Sequence, residues 1–269
     1  MDALHRSGWR FGPGGGWLPF GPEVRQARLA TLRSMTALLA AVDIGATSIK
    51  ATLLGDGSPR VRSRRTQPPV GPDEVIEKVC DLLSALGPAS RVVVGFPGPL
   101  EGGQVRSACN LDPEGLLGWS GFDLEAGLTE HLGCEVACAN DADLAALGAA
   151  HGKGLELTVT LGTGVGTGIT LDGTLEEHRE LSDLPIASAP SLDAYVGEPT
   201  RKLLEPEVWD QRVVEVLELL DTEVRPDQIW LAGGNARRVT RSRLGRLEEK
   251  VWVVSTPVGL LGAQRFVSP

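Results

Sequence analysis

Four glycines alternate with other residues in Leu161–Gly168, inside a segment that is otherwise typical of β-strands. The runs on either side, Leu155–Leu161 and Val165–Leu171, predict two strands joined by a glycine-rich turn. Glycine weakens a strand, so its repetition indicates a bulge or a close approach of other backbone. The pattern is not the dinucleotide-binding G-x-G-x-x-G, because the third glycine is misplaced and no helix follows at once. A phosphate-cradling hairpin and a purely structural bulge both remain open.

The rest of the chain divides into two halves that each begin with strands and continue with helices. This order predicts two α/β lobes with a cleft between them. We assign residues 36–150 plus 257–269 to a smaller lobe and 151–256 to a larger one. The helices expected from apolar periodicity include one capped by Asp73 and ended by Gly87, one over Asp193–Leu204 and one over Val208–Leu220.

Composition excludes several classes of protein. The chain has 269 residues, 42% of them hydrophobic, and a formal net charge of -9, which fits a globular protein and argues against a broad nucleic-acid-binding face. No apolar run is long enough to span a bilayer. Four cysteines without a C-x-x-C pair fit neither a disulfide scaffold nor a zinc site of the usual spacing. We therefore expect a cytoplasmic protein that binds neither nucleic acid nor membrane.

The first 34 residues differ from the remainder. They hold nine glycines or prolines, and five arginines against two acids, with little periodicity. We expect either a disordered leader or a start codon assigned too early, with Met35 as the beginning of the fold. An organelle transit segment is the less favoured alternative.

Two strand ends carry acids beside turn residues. Asp43-Ile44-Gly45-Ala46-Thr47 closes a predicted strand, and such a turn exposes backbone N–H groups to an anion while its acid can hold a hydrated Mg²⁺. Asn140-Asp141 closes another strand, where a carboxylate can take a proton from an alcohol and an amide can bind sugar hydroxyls. The structural alternatives are an ordinary Asp-x-Gly turn and a helix N-cap.

A fourth motif, Ala232-Gly233-Gly234-Asn235, follows a predicted strand and would let a nucleotide lie against backbone, or would simply be a loop.

Taken in order, the four motifs resemble the ROK group of sugar kinases in the actin-like ATPase superfamily, and most of all its polyphosphate glucokinase branch. Further matching segments lie between Ala37 and Phe266: Gly95-Phe96-Pro97-Gly98, Ala108-Cys109-Asn110-Leu111-Asp112, Trp119, Tyr195-Val196-Gly197-Glu198 and Leu260-Leu261-Gly262-Ala263.

The resemblance implies a two-lobed α/β fold of the actin-like ATPase (ribonuclease H-like) type with an interdomain cleft. It also implies phosphoryl transfer from ATP or polyphosphate to the primary hydroxyl of a hexose, with Mg²⁺ and in a homodimer. Asp141 would be the catalytic base, and Asp43 would hold the metal. The sugar would be bound by Asn110, Asn140, Glu180, Asp183 and Asp193. The phosphates would contact Asp43, Gly45, Thr47, Lys50, Gly162, Thr163, Gly164 and Gly166, and the nucleotide would contact Gly233, Gly234 and Asn235.

Three positions depart from the family pattern. Ala46 replaces a glycine, which is tolerable if its φ is negative. Asp183 stands where the Glu-x-Gly-His motif that begins at Glu180 has its histidine, and Asp193 replaces a glutamate. A misplaced hydrogen bond to a sugar can cost roughly 10²–10⁴ in rate or discrimination. A weakly active sugar-binding sensor, or a kinase for another substrate such as an amino sugar, therefore remains an alternative.

The phosphoryl donor is also open. Arginines crowd the segment after Gly233-Gly234, and on a helix several of them would form one stripe that a polyanion could follow. The alternative is a solvated basic face. The arginines concerned are Arg237, Arg238, Arg241, Arg243 and Arg246.

Overall fold

The computed structural model describes residues 9–11, 17–19, 38–54, 59–254 and 258–267. Residues 1–38 and 39–269 form two separate compact units. In the first unit, strands β1 (Trp9–Phe11) and β2 (Trp17–Pro19) pair antiparallel. The remainder of the expected leader, and Met35, lie outside the described residues.

A five-stranded mixed sheet opens the second unit, with the strand order β5-β4-β3-β6-β9. Strand β3 pairs antiparallel with β4 and parallel with β6, and β6 pairs parallel with β9. The strands of this half, including the small β7-β8 hairpin, are β3 (Leu39–Ile44), β4 (Ser48–Leu54), β5 (Arg60–Arg65), β6 (Arg91–Phe96), β7 (Leu100–Glu101), β8 (Gln104–Val105) and β9 (Glu135–Asn140). The helices are α1 (Pro72–Leu86), α2 (Leu124–Leu132) and α3 (Asp141–Ala149).

A second five-stranded sheet follows, with the order β12-β11-β10-β13-β14. Here β10 pairs antiparallel with β11 and parallel with β13. Its strands are β10 (Leu155–Leu161), β11 (Val165–Leu171), β12 (Thr174–Leu175), β13 (Gln228–Ala232) and β14 (Val251–Val253). The helices are α4 (Leu192–Val196), α5 (Glu198–Arg201), α6 (Pro206–Val224) and α7 (Val258–Phe266). None of the helices in the described ranges combines the length and apolar character needed to cross a membrane.

Two helix predictions need correction. Helix α1 begins at Pro72 with Gly71 as its N-cap, not with Asp73, because proline fits the first helical turn, where its missing N–H costs nothing. The helix expected over Asp193–Leu204 is divided at Gly197, whose extended backbone ends α4 and leads into Pro199 near the start of α5. A side chain at Gly197 would lie 2.5 Å from the carbonyl oxygen of Asp193, so the turn requires glycine.

Glycines let α3 pack closely against α7 on one side and against β11 on the other. A Cβ added to Gly148 in α3 would lie 1.7 Å from the carbonyl oxygen of Val258, and one added to Gly262 in α7 would lie 1.7 Å from that of Leu144. On the side of the second sheet, a Cβ at Gly168 in β11 would lie 2.6 Å from the carbonyl oxygen of Ala142. The alternating glycines of β11 thus mark a close backbone approach, the interpretation offered from the sequence.

A buried carboxylate fixes the connection from α3 to β10. Glu156 is 2% exposed and accepts hydrogen bonds from the backbone N–H groups of His151, Gly152 and Lys153 and from the indole N–H of Trp230. Burial alone would raise the pKa of Glu156, but these four donors outweigh it and lower the pKa below its ordinary value. The turn that links the two sheets is therefore held by one charged group.

We expect Gly262→Ala to lower the free energy of unfolding by about 2 kcal/mol or more, because the added methyl group must push the backbones of α3 and α7 apart. Gly259→Ala in the same helix is the matched control, since a Cβ there meets nothing within 4 Å. The control should be neutral, or stabilising by up to about 1 kcal/mol, through helix propensity. Urea unfolding of both variants measures the difference, and equal stabilities would contradict the close packing.

Candidate active site

The chain turns from β9 into α3 at Asn140, and this turn places Asp141 at the first position of the helix. The Asn140 side-chain oxygen accepts hydrogen bonds from the N–H groups of Ala142 (2.8 Å) and Asp143 (3.4 Å), while its Nδ2 donates to the Gly98 carbonyl at 3.1 Å. Asn140 is therefore the N-cap of α3, the structural alternative considered above. One N–H of its amide has no partner among the described residues.

Asp141 lies among other carboxylates. Burial is the largest cause, and the charge of Asp43 the next, of a shift that raises the pKa of Asp141 to about 7. Glu180 and Asp143 add to the shift, and a hydrogen bond from the Ala142 N–H opposes it. The carboxyl is thus poised to exchange a proton near neutral pH.

The sheet register explains why Asp43 and Asp141 are neighbours. Asp43 on β3 is paired with Gly95 on β6, and Gly95 is paired with Ala139 on β9. A Cβ at Gly95 would lie 3.4 Å from the Asp141 Cα, so the missing side chain lets the start of α3 approach the sheet. Desolvation raises the pKa of Asp43, and Lys50, whose Nζ lies 3.7 Å from its Oδ2, opposes that rise. The Asp43 side chain itself is 55% exposed and so remains open to a ligand.

The first glycine turn connects β3 to β4 beside Asp43. The Gly45 N–H donates to the Ser48 carbonyl at 3.1 Å, and the Thr66 N–H donates to the Thr47 carbonyl at the same distance. The Thr66 hydroxyl donates to the Gly45 carbonyl. Ala46 is not among the described residues with positive φ, so its departure from the family's glycine is tolerated.

The second glycine turn, Gly162–Gly164, is held by two other segments. Asn235 donates from its backbone N–H to the Leu161 carbonyl at 3.0 Å and from its side chain to the Gly162 carbonyl at 3.3 Å. The Glu198 N–H donates to the Thr163 carbonyl at 2.9 Å. The structure therefore brings this turn and the Gly233–Asn235 motif together. Thr163 at the tip is exposed, as is Gly234.

Two of the predicted phosphate and nucleotide glycines have evident packing roles. Gly166 lies within β11, in register with Thr160, and a Cβ on it would lie 2.9 Å from the Ala142 Cβ of α3. Gly233 has a φ of +87°, and a Cβ there would lie 2.4 Å from the Leu161 carbonyl oxygen. Packing accounts for both residues, and their contacts with a ligand stay predictions.

Asp193 supports the second glycine turn. Its Oδ1 accepts a hydrogen bond from the Val165 N–H at 2.5 Å, and a Cβ on Gly164 would lie 2.7 Å from both of its carboxylate oxygens. Burial raises the pKa of Asp193, the Val165 N–H opposes that rise, and the charges of Glu180 and Asp183 add to it. Asp193, which the family resemblance assigns to sugar binding, therefore already uses one carboxylate oxygen in a hydrogen bond to the second glycine turn.

Glu180 lies at the start of the 3-10 turn Leu181–Asp183 and is held at both oxygens. Ser182 Oγ donates to its Oε1 at 2.6 Å, and His178 Nε2 lies 3.4 Å from its Oε2. The contact with His178 is the largest cause that lowers the pKa of Glu180 below its ordinary value. Asp183, in the position of the family's histidine, is exposed.

Sequence analysis missed His178. Its Nδ1 lies 2.9 Å from Asp143 Oδ2, although the N–H direction departs from that of a regular hydrogen bond. Interactions with Asp143 and then with Glu180 raise the pKa of His178 to about 10. The available signal was a histidine two residues before Glu180, in a chain with only 4 histidines.

Asn110 has no described contact with the other candidate residues. It is exposed in the turn in which the Leu111 N–H donates to the Ala108 carbonyl. Gly98 links the segment before Asn110 to Asn140 indirectly. A Cβ on Gly98 would lie 2.4 Å from the Ser107 carbonyl oxygen, and the Gly98 carbonyl accepts a hydrogen bond from the Asn140 side chain. The predicted role of Asn110 in sugar binding remains a prediction.

The arginine stripe that a polyanion could have followed does not form. The segment folds into three short 3-10 turns, Ala236–Arg238, Arg241–Arg243 and Gly245–Leu247, so the arginines do not share one helical face. Four of the five have partners: Arg238 with Asn235, Arg241 with Glu248 and the Trp252 ring, Arg243 with Asp210, and Arg246 with Asp221 and Glu218. Within the described ranges only Arg237 lacks one.

The described residues contain no cluster of three or more His, Cys, Asp or Glu side chains that could hold a metal ion. Mg²⁺ in phosphoryl-transfer sites usually takes one or two carboxylates, with waters and substrate phosphates completing its shell. The half-exposed carboxylate of Asp43 beside the first glycine turn fits that requirement as a single protein ligand.

Comparisons with known proteins agree with this architecture. The profile of the ROK family matches residues 39–178. A polyphosphate glucokinase from Mycobacterium tuberculosis is 26% identical over 239 residues, which cover 82% of this chain and 88% of the relative. An N-acetylmannosamine kinase from Salmonella typhi is 32% identical over 149 residues, covering 52% of this chain and 49% of that one.

Two solved structures show the same fold. The inorganic polyphosphate/ATP-glucomannokinase from Arthrobacter sp. strain KM superposes with a TM-score of 0.75 at 28% identity, covering 86% of this chain and 98% of that one. A ROK family glucokinase from Streptomyces griseus, in complex with glucose and AMPPNP, superposes with a TM-score of 0.69 at 19% identity, covering 85% and 98%. The chain therefore has the mixed α/β, actin-like ATPase fold predicted from its motifs.

We expect Asp43→Asn to lower the pKa of Asp141, because it removes the charge that contributes most to raising this pKa. The pKa should stay above the ordinary value of an aspartate, since burial is the larger cause of the shift. A carbon-13 NMR titration of the aspartate carboxyls measures the change. Asp81→Asn is the control, because Asp81 is engaged with Arg64 on the surface. An unchanged pKa in Asp43→Asn would show that the two carboxylates do not interact.

Proposed function

This chain belongs to the ROK family, and on that premise we propose that it is a sugar kinase that transfers a phosphoryl group to the primary hydroxyl of a hexose. The observation that carries the proposal is the carboxyl of Asp141, whose pKa is raised to about 7 by burial and by Asp43. A base that titrates near the working pH is well matched to taking a proton from an alcohol.

The neighbouring residues supply the remaining parts of such a mechanism. Asp141 accepts the proton of the attacking hydroxyl, and Glu180 holds the sugar through its charged oxygens. Backbone N–H groups of the two glycine turns bind the phosphates of the donor. Mg²⁺, held through Asp43, supplies charge neutralisation when bound. Phosphoryl transfer depends mostly on positioning and on charge stabilisation, so this small set of groups is sufficient.

ATP or polyphosphate is the proposed donor. The names of two relatives support this choice, one a polyphosphate glucokinase and one a polyphosphate/ATP-glucomannokinase. Gly233, Gly234 and Asn235, next to the second glycine turn, would receive a nucleotide. Because four arginines of the expected stripe are paired, we do not assign polyphosphate to that segment. Dependence on Mg²⁺, a homodimeric state and a cytoplasmic location belong to the same proposal.

An amino sugar is the second candidate substrate. The charges of Glu180 and Asp183 both raise the pKa of Asp193, and this concentration of acids favours a substrate with a cationic or donor-rich substituent. The similarity to an N-acetylmannosamine kinase points in the same direction. A sugar-binding sensor without catalysis is less well supported, because such a protein would not need the shifted carboxyl of Asp141.

A coupled phosphorylation screen tests the proposal directly. Glucose, mannose, glucosamine and N-acetylmannosamine are each combined with ATP and with polyphosphate, in the presence of Mg²⁺. We expect turnover of at least one hexose with at least one donor. Absence of turnover in every combination, together with sugar binding in calorimetry, would refute the kinase and favour the sensor.

Removing the base should separate binding from chemistry. We expect Asp141→Asn to lower kcat by about 10²-fold or more, because general base catalysis contributes on that scale, while the calorimetric affinity for the sugar changes little. Retained turnover would refute the assignment of the base.

The unmodified enzyme should also show a characteristic pH dependence. Only the deprotonated carboxyl of Asp141 accepts a proton, so kcat/KM should fall about tenfold per pH unit below the pKa of about 7 and level off above it. A rate that is constant from pH 5 to pH 8 would contradict this assignment.

A further inference from the structure

An imidazole lies between two carboxylates next to Asp141, although the family's own histidine position carries Asp183. His178 is mostly buried, with 16% of its side chain exposed, and contacts Asp143 on one side and Glu180 on the other. The two distances are 2.9 Å from Nδ1 to Asp143 Oδ2 and 3.4 Å from Nε2 to Glu180 Oε2. The ring thus connects the first turn of α3 to the segment that carries Glu180.

The anchoring end of this connection is rigid. Asp143 is 7% exposed at its side chain and lies in the first turn of α3, whose N-terminal N–H groups are capped by Asn140. Its second oxygen, Oδ1, is buried without a hydrogen-bond partner. A buried carboxylate is costly unless it is paired, so the neighbouring His178 cation is its main compensation.

The other end of the connection controls the geometry of Glu180. With Ser182 on Oε1 and His178 on Oε2, the carboxylate cannot rotate freely. It nevertheless keeps 32% of its side chain exposed, so its remaining lone pairs stay accessible to a ligand. Glu180 also contributes to the electrostatic field at Asp141, which places it near the proposed base.

A cavity of about 370 Å³ lies beside His178. Asn140, Asp143 and His178 contribute to its wall, together with Glu125 and Cys138. Glu125 is the additional titratable acid at this wall, and its Oε2 accepts a hydrogen bond from the Cys138 N–H at 3.1 Å. The two acids that contact the imidazole, Asp143 and Glu180, keep it protonated.

We propose that His178 is a positioning residue that orients Glu180 toward the sugar. The inference rests on the proposed kinase function. It differs from the family pattern because the histidine comes before Glu180 in the sequence rather than after it, and because Asp143 anchors the ring.

Kinetics of His178→Phe test the proposal. We expect KM for the sugar to rise about tenfold or more, since a misplaced carboxylate loses hydrogen bonds to substrate hydroxyls, while KM for the donor stays within about twofold. His178→Gln, which keeps an N–H donor, should recover part of the loss. A sugar KM within about twofold of that of the unmodified enzyme in His178→Phe would overturn the inference.

Thr167→Val is the matched control for a merely structural role. The Thr167 hydroxyl donates to the Arg179 carbonyl at 3.2 Å and so anchors the same segment without touching Glu180. The control should leave the sugar KM within about twofold. An equal rise in both variants would overturn the inference, because it would show that anchoring alone matters.

A second readout does not depend on activity. In an NMR titration of the imidazole, Glu180→Gln should lower the pKa of His178 from its value of about 10, whereas Thr167→Val should not. An unchanged pKa in Glu180→Gln would overturn the inference even if the protein is a kinase. If the unmodified protein phosphorylates no sugar, the proposed function fails, and the titration still decides whether His178 holds Glu180.

Discussion

The position of α3 depends on how closely backbone can approach backbone. This helix carries Asp141 at its first position, and it is packed against α7 through Gly148 and Gly262 and against β11 through Gly166 and Gly168. At each of these contacts an added methyl group would overlap a neighbouring atom. Because α3 also follows directly from β9, one helix contacts both sheets and carries the carboxyl at its start. The glycines thus set the location of the acid before any ligand is considered.

The second organising feature is electrostatic. Asp43, Asp143 and Glu180 raise the pKa of Asp141, and Glu180 also raises the pKa of Asp143 and of Asp193. His178 and Lys50 are the described cations in contact with members of this group. The pKa of each acid depends on the groups that contact it. Glu180, bonded to His178 and Ser182, remains charged, whereas Asp141, with only one backbone donor and three nearby acids, holds its proton up to about pH 7. Similar groups thereby acquire the separate tasks of holding a substrate and accepting a proton.

Local patterns predicted much of the fold, because strand alternation and glycine turns are properties of neighbouring residues. The bounds of β10 and β11 agree with the sequence prediction to the residue. Asp73 failed as an N-cap because Pro72 takes the first helical position. The arginine stripe failed because acids on α6, such as Asp210 and Asp221, pair with it across the fold. His178 was missed for the same kind of reason, since Asp143 lies far from it in sequence and only the tertiary structure brings them together.

The contact between Gly148 and the start of α7 joins segments that lie on either side of the whole second sheet in the chain. During synthesis α3 leaves the ribosome long before α7, and proteins generally fold as their segments become available. Until α7 arrives, one face of α3 must stay exposed to solvent, including Leu144, which packs in one apolar cluster with Ala263 of α7. The helix with the reactive carboxyl is therefore completed late, and a nascent chain stalled within the second sheet would expose a surface that chaperones or proteases can bind.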